Sequence, residues 1–316
     1  MILQILLIIV SIAVVLAGAN LLTNGASGLA RRMNIPEIVI GLTIVACGTS
    51  MPEFFVSFIS ALNHTPDLAV GNIVGSNIFN ALLIVGVAAM VAPITISKST
   101  VTKDIPFAIG SSLLLIILIT GFHITLNISG AIINRIDGVI LTVSFLGFMA
   151  YTLRLAKNGK TEDTAVGKLQ PIWKGILFIV LGLTALIVGS DLFVSEASSI
   201  AGSLGVSESV IGLTIVAGGT SLPELATSVV AARKGQSAIA IGNVLGSNVF
   251  NILMILGITG IICPMQIEGI TIYDLGVMLV SMILIWLFSF THYTIARWEG
   301  ALLALAYLVY MYWLLQ

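Results

Sequence analysis

Glu53 and Glu224 each follow a proline inside an apolar run, in GTSMPE (48–53) and GTSLPE (219–224). A carboxylate in such a run is costly unless an ion or a base meets it, so it points to function. No Lys or Arg lies in the apolar cores to pair with either glutamate. Pro52 has no N–H, so the carbonyl of Gly48 loses its helical partner. Gly48 and Gly219 add backbone freedom at the same place. A freed carbonyl in an apolar medium is tolerated only where protein, water or an ion satisfies it. Thr49 and Ser50, like Thr220 and Ser221, bring hydroxyl oxygens to the break. Backbone, hydroxyl and carboxylate oxygens without His or thiolate form a hard-cation ligand set. It suits Ca²⁺ or an alkali ion rather than zinc or copper.

A second polar set follows in each case. Asn72, Ser76 and Asn80 are spaced i, i+4, i+8, which puts them on one helix face, and Asn243, Ser247 and Asn251 repeat the pattern. The duplicated placement puts Ser76, Ser247, Asn80 and Asn251 toward the broken segments. Asn72, Asn243, Asn77 and Asn248 read as structural, bonding between helices. Gly71 with Gly75, and Gly242 with Gly246, form small-xxx-small pairs that admit a close neighbouring helix. Charge gives the set a mechanism. One Ca²⁺ or two Na⁺ would neutralise two carboxylates equally, whereas an empty site leaves them uncompensated in low dielectric. Only occupied states then cross between faces, which is the logic of obligatory exchange.

The elements that must position these groups come from a duplication. From Glu37 to Pro93, 28 of 57 positions match the residue 171 further on, too many for two unrelated segments. Residues are 58% apolar and 9% charged, against about 25% charged in soluble domains, and mean hydropathy is +1.14. The chain therefore reads as an all-α integral membrane protein. Apolar stretches long enough to span the bilayer fall near 2–22, 37–62, 69–92, 105–123, 134–155, 172–194, 208–232, 239–262, 271–291 and 297–315. That predicts ten transmembrane helices, five per repeat, with the second and seventh broken. The first repeat covers 1–155, a polar cytoplasmic linker 156–171, and the second repeat 172–316. Residues 2–22 lack the positive flank of a signal peptide and read as a retained helix. Cys47 and Cys263 read as packing residues.

On this segmentation 12 of the 13 basic residues fall on one side, and Arg135 alone on the other. The positive-inside rule makes that side cytoplasmic and both termini extracytoplasmic. Asp67, Glu196, Glu208, Glu268 and Asp274 read as acids of the opposite loops. The basic ends also swap between copies: Arg31 and Arg32 align with Gly202 and Ser203, while Asn63 and His64 align with Lys234 and Gly235. Odd helix number and swapped charge together predict an inverted repeat with a site near the midplane.

At GTSMPE with GNIVGSN, and GTSLPEL with GNVLGSN, the chain resembles the cation/Ca²⁺ exchanger superfamily, and within it the microbial sodium/calcium antiporters. The resemblance covers the full length. It implies alternating access by sliding of the first and sixth helices. It also implies cation sites shared by Glu53 and Glu224 with help from Thr49 and Thr220. Flanking Na⁺ sites would use Ala217, Thr220 and Ser247, and Ala46, Thr49 and Ser76, the alanines through their carbonyls. Asn80 and Asn251 would flank the middle site. Many members carry aspartate at the position of Asn251, so this chain has two site carboxylates where they have three.

The leading expectation is Na⁺/Ca²⁺ exchange, with Ca²⁺ extruded as Na⁺ enters. The alternatives are H⁺/Ca²⁺ exchange, through a titrating glutamate, and a Na⁺- or Li⁺-selective variant. A cation channel is more remote, because inverted halves favour alternating access over a filter. An intramembrane enzyme is equally remote. No HExxH motif occurs, and His64, His123 and His292 lie at segment ends. Expected partners are Ca²⁺, Na⁺ and the lipid bilayer of the plasma membrane. Neither a cofactor, nor nucleic acid, nor an obligate protein partner is expected.

Overall fold

Glycines let the two longest helices meet backbone to backbone. They are α1 (Ile2–Met33) and α7 (Ile172–Ser203), each of 32 residues. A Cβ on Gly18 would lie 2.9 Å from the Gly182 carbonyl, one on Gly25 2.7 Å from the Gly175 carbonyl, and one on Gly182 2.6 Å from the Leu22 nitrogen. Gly18 and Gly25, like Gly175, Gly182 and Gly189, recur every seven residues. That period keeps the small residues on one seam between the two helices. The computed structural model describes residues 2–63, 65–121, 128, 130–158, 171–205 and 217–314.

The remaining elements follow in order. A helix broken by a 48° bend comprises α2 (Glu37–Thr49) and α3 (Met51–Leu62). Next are α4 (Pro66–Val91), α5 (Thr100–Thr120) and α6 (Arg135–Asn158). Beyond α7 lie α8 (Ala217–Thr220), α9 (Leu222–Arg233) and α10 (Ser237–Ile262). The last two are α11 (Ile272–Ser289) and α12 (Arg297–Leu314). Among the described residues seven helices are long and apolar enough to cross a membrane, or eight counting the bent pair. The chain is thus an all-helical, multi-pass membrane protein. Short extended pieces tie the helix ends: β1 (Ile94–Thr95) pairs antiparallel with β4 (Thr294–Ile295), and β2 (Ala131–Ile133) with β3 (Met265–Ile267).

The two copies interlock. Gly86 of α4 meets Gly300 and Ala304 of α12, while Gly257 of α10 meets Gly138 and Thr142 of α6. Phe79 packs edge-on against Tyr307 of α12 at 5.3 Å, and its counterpart Phe250 against Phe145 of α6 at 5.5 Å. The helix α12 therefore covers α4, and α6 covers α10. These central helices, α4 and α10, are the most buried spans.

Several boundaries move outward from the sequence reading. A 32-residue helix is about 48 Å long, well beyond about 30 Å of hydrocarbon. Hydropathy marks where lipid ends, but the helix continues. Arg31 and Arg32 accordingly close the last turn of α1 rather than occupying a loop. Glu196 lies within α7. Asp274 sits in the first turn of α11, where it forms a capping box with Thr271. The linker residues 159–170, the stretch 206–216 with Glu208, and His64 and His123 lie outside the described residues.

Candidate functional site

The chain breaks at Ser50 (φ −83°, ψ 9°) and again at Ser221 (φ −89°, ψ 7°). In each case a proline follows two residues later at the start of the next helix, where its missing N–H costs nothing. Neither Gly48 nor Gly219 adopts a left-handed conformation. Their use is space: a Cβ at Gly48 would lie 2.5 Å from Leu183 of α7, and one at Gly219 would collide with Val194. The glycines let α7 lie across both breaks.

Glu53 and Glu224 are fully buried, and each is braced by the other copy. Ser221 Oγ donates to Glu53 Oε1 at 2.8 Å, and Ser50 Oγ donates to Glu224 Oε1 at 3.0 Å. The serines read as cation ligands thus hold the carboxylates across the interface. Ser221 Oγ also lies 3.3 Å from Ser76 Oγ. Thr49 Oγ1 donates to Asn243 Oδ1 at 3.1 Å and approaches the Ala46 carbonyl at 3.3 Å. That carbonyl already takes the Ser50 N–H at 3.0 Å. Thr220 ends α8 at the second break, and Ala217 begins that helix.

Asn72 and Asn243 do matching structural work. Asn72 Nδ2 donates to the Glu53 carbonyl and to Ser57 Oγ, at 3.3 and 3.0 Å. Asn243 Nδ2 donates to the Glu224 carbonyl and to Ser228 Oγ at the same two distances. They fasten each half-helix after a break to the adjacent central helix. Gly242 and Gly246 bring α10 against α2: added Cβ atoms there would lie 3.1 Å from Gly41 Cα and 2.6 Å from Ala46 Cβ. Added Cβ atoms at Gly71 and Gly75 would meet nothing within 4 Å among the described residues.

Asn80 and Asn251 are the second residues of π-helical turns at Phe79–Ile84 and Phe250–Ile255. Val85 N–H bonds to the Asn80 carbonyl and Leu256 N–H to the Asn251 carbonyl, five residues back instead of four. One extra residue per turn swings the side chain relative to a regular helix, as recurs at functional sites.

The donor set is defined by what stays unpaired. Glu53 Oε2, Glu224 Oε2, Asn80 Oδ1, Asn251 Oδ1 and Ser247 Oγ are buried and have no hydrogen-bond partner among the described residues. Four of these five atoms are carbonyl or carboxylate oxygens, which only accept. Native proteins rarely bury such atoms unmet, and an ion is one of the few things that satisfies several at once. Among the described residues no cluster of three or more His, Cys, Asp or Glu side chains could hold a metal. The set is two carboxylates with amide and hydroxyl oxygens, fit for a hard, weakly polarising cation.

Comparison with known proteins converges on one family. Residues 3–154 and 174–316 match the family described as sodium/calcium exchanger protein. The chain is 36% identical over 316 residues to a putative antiporter, CaxA, of Alkalimonas amylolytica, covering 96% of each chain. It is 30% identical over 342 residues to the sodium/calcium exchanger MaX1 of Methanosarcina acetivorans, covering 97% of each. The solved structure of the sodium-calcium exchanger NCX_Mj, soaked with 10 mM Na⁺ and zero Ca²⁺, superposes with a TM-score of 0.83 at 29% identity over 98% of both chains.

Proposed function

The chain belongs to the sodium/calcium exchanger protein family, and on that premise we propose that it is an antiporter exchanging Na⁺ for Ca²⁺ at Glu53 and Glu224. As a family member it is a transporter and not an enzyme. The observation that carries the ion assignment is the group of buried, unpartnered oxygens around two carboxylates with no base beside them. Ca²⁺ would be held by Glu53 and Glu224 with the amide oxygens of Asn80 and Asn251. Na⁺ would take the same carboxylates together with Ser76, Ser247, Thr49 and Thr220, and the Ala46 and Ala217 carbonyls. At Ala46 this requires the Thr49 hydroxyl to turn toward the ion.

The ten-helix inverted arrangement, with repeats 1–155 and 172–316 about a cytoplasmic linker, belongs to this reading. So do the plasma membrane, the extracytoplasmic termini and alternating access. The charge argument gives the mechanism: competing ion sets of equal charge occupy one site, and the uncompensated pair of carboxylates resists crossing.

The test is uptake of radioactive Ca²⁺ into proteoliposomes loaded with Na⁺, with K⁺ or at a proton gradient. Uptake driven by the outward Na⁺ gradient is the expected result. Uptake indifferent to Na⁺ and driven by protons would overturn it in favour of H⁺/Ca²⁺ exchange. Uptake of Na⁺ or Li⁺ without Ca²⁺ would overturn it in favour of the alkali-selective variant.

A further inference from the structure

Four asparagines at the centre of the molecule form a hydrogen-bonded chain of amides with a fixed polarity. Asn77 Nδ2 donates to the Asn248 backbone carbonyl, and Asn248 Nδ2 to the Asn77 backbone carbonyl, both at 3.3 Å. A backbone carbonyl can only accept, so the nitrogen end of each amide is committed. The oxygen ends must face the other way, and each meets a second asparagine. Asn80 Nδ2 donates to Asn248 Oδ1 at 3.1 Å, and Asn251 Nδ2 donates to Asn77 Oδ1 at 3.0 Å. That commits the nitrogens of Asn80 and Asn251 in turn. What remains is their oxygen ends, buried and without a partner among the described residues.

The two ends of a carboxamide have nearly the same shape, so packing cannot choose between them. Their electrostatics are opposite: the oxygen attracts a cation and the NH₂ repels it. Among the described residues no other hydrogen bond sets the choice at Asn80 and Asn251. Sulfur atoms close the outer edge: Met282 Sδ lies 3.3 Å from Asn248 Nδ2, and Met278 Sδ lies 3.9 Å from Asn77 Nδ2.

We propose that Asn77 and Asn248 are positioning residues that force Asn251 and Asn80 to present oxygen, not nitrogen, to the transported cation. The proposal rests on the ion-binding reading of this site. It assigns a role in ion recognition to two residues that touch no cation themselves. It also explains a match within this chain. Asn77 offers an oxygen to position 251, which suits the NH₂ of Asn251. A carboxylate there would face that oxygen with another oxygen, so Asn77 is matched to Asn251 and mismatched to aspartate.

The test is a double-mutant cycle on the full-length protein in proteoliposomes, read as apparent KM and kcat for radioactive Ca²⁺. Asn77→Leu keeps the branched outline of the side chain and removes the relay. With Asn251 in place, it should raise the KM for Ca²⁺ about tenfold, within the range of coupling for residues in one network. Asn251→Asp alone should also weaken Ca²⁺ binding. In the Asn251→Asp background, Asn77→Leu should instead leave KM unchanged or lower it, because both ends of a carboxylate are oxygen. That reversal of sign is the signature of positioning. An unchanged KM in the single Asn77→Leu variant would overturn the proposal. So would an equal loss in both backgrounds, which marks a merely structural role. Where turnover is lost, the Ca²⁺-induced rise in melting temperature of the purified protein reads the same cycle. If the unsubstituted protein shows neither Ca²⁺ transport nor Ca²⁺-dependent stabilisation, the functional reading falls, and this proposal with it.

Discussion

Glu53 and Glu224 occupy matching places in a duplicated sequence, yet their surroundings are unequal. Beside Glu53, one hydroxyl joins a carboxylate to a second hydroxyl: Ser221 bonds Glu53 and also contacts Ser76. Beside Glu224, Ser50 bonds the carboxylate, but Ser247 Oγ is left buried and unpartnered among the described residues. Three residues beyond each glutamate the copies differ again, with Val56 in one and Thr227 in the other. Thr227 is fully buried and its hydroxyl has no partner among the described residues. The orphaned carboxylate and amide oxygens are the same in both copies, so the difference lies in the hydroxyls of Ser247 and Thr227. An ion that also takes up the unpaired Ser247 hydroxyl therefore gains more on the Glu224 side.

The largest effect should come from neutralising either carboxylate. Glu53→Gln and Glu224→Gln each keep the shape, remove a charge from the ligand set and place an NH₂ where a cation belongs. Removing one partner of a buried charge interaction costs about 3–5 kcal/mol, so each should lower Ca²⁺ exchange by about a hundredfold or more. The two variants should separate in binding of Ca²⁺ to purified protein, with Glu224→Gln the weaker binder. Equal losses would erase the asymmetry argued from the unpaired hydroxyls. Normal exchange by either variant would remove that glutamate from the site.

Smaller effects should follow from the cross-braces. Ser221→Ala and Ser50→Ala each delete a hydrogen bond to a carboxylate, worth about 1.5–3 kcal/mol. Each should raise the apparent KM for Ca²⁺ by about tenfold. Ser221→Ala should exceed Ser50→Ala, because it also strips Ser76 of its contact. Initial-rate measurements in proteoliposomes check the order. The reverse order would place the stronger brace on the Glu224 side and contradict the geometry.

These braces also mark how far sequence carries. Glu53, Glu224, Ser76, Ser247, Asn80 and Asn251 stand out because burial of polar residues among apolar ones is visible in one dimension, and repetition marks it twice. The pairing is not visible. Ser50 lies three residues from Glu53, so spacing alone reads them as local company, whereas each bonds into the other copy. Asn77 and Asn248, like Asn72 and Asn243, read as structural because asparagines in packed helices ordinarily bond across them. A π-helical turn and an exchange across the interface bring them beside Asn251 and Asn80. In sequence the glycines at the breaks read as backbone freedom, because what lies across them, Leu183 and Val194, is more than a hundred residues away for one and belongs to a different helix for both. The span limits of α1 and α7 were short because hydropathy reports lipid, not hydrogen bonding.

The smallest effect should come from the most lopsided contact, far from the carboxylates. Lys234 Nζ donates to three groups on α1: the Asn20 carbonyl at 3.0 Å, Thr23 Oγ1 at 2.7 Å and Asn24 Oδ1 at 2.8 Å. The aligned residue is Asn63, too short to reach so far. Partial burial holds the Lys234 ammonium below the ordinary lysine pKa. The sign follows from proton counts. Between the lowered pKa and the ordinary one, the unfolded chain binds this proton more fully than the folded chain does. Stability therefore rises with pH across that alkaline window, and the burial cost of the charge is present in full below it. Lys234→Met should flatten this rise in a series of melting curves, while Asn63→Met should leave it untouched. The effect is small because the side chain keeps much of its hydration. The same rise in the Lys234→Met protein would assign the titration elsewhere. It would also weaken the view that contacts at the periphery, unlike the ligand set, have diverged between the copies.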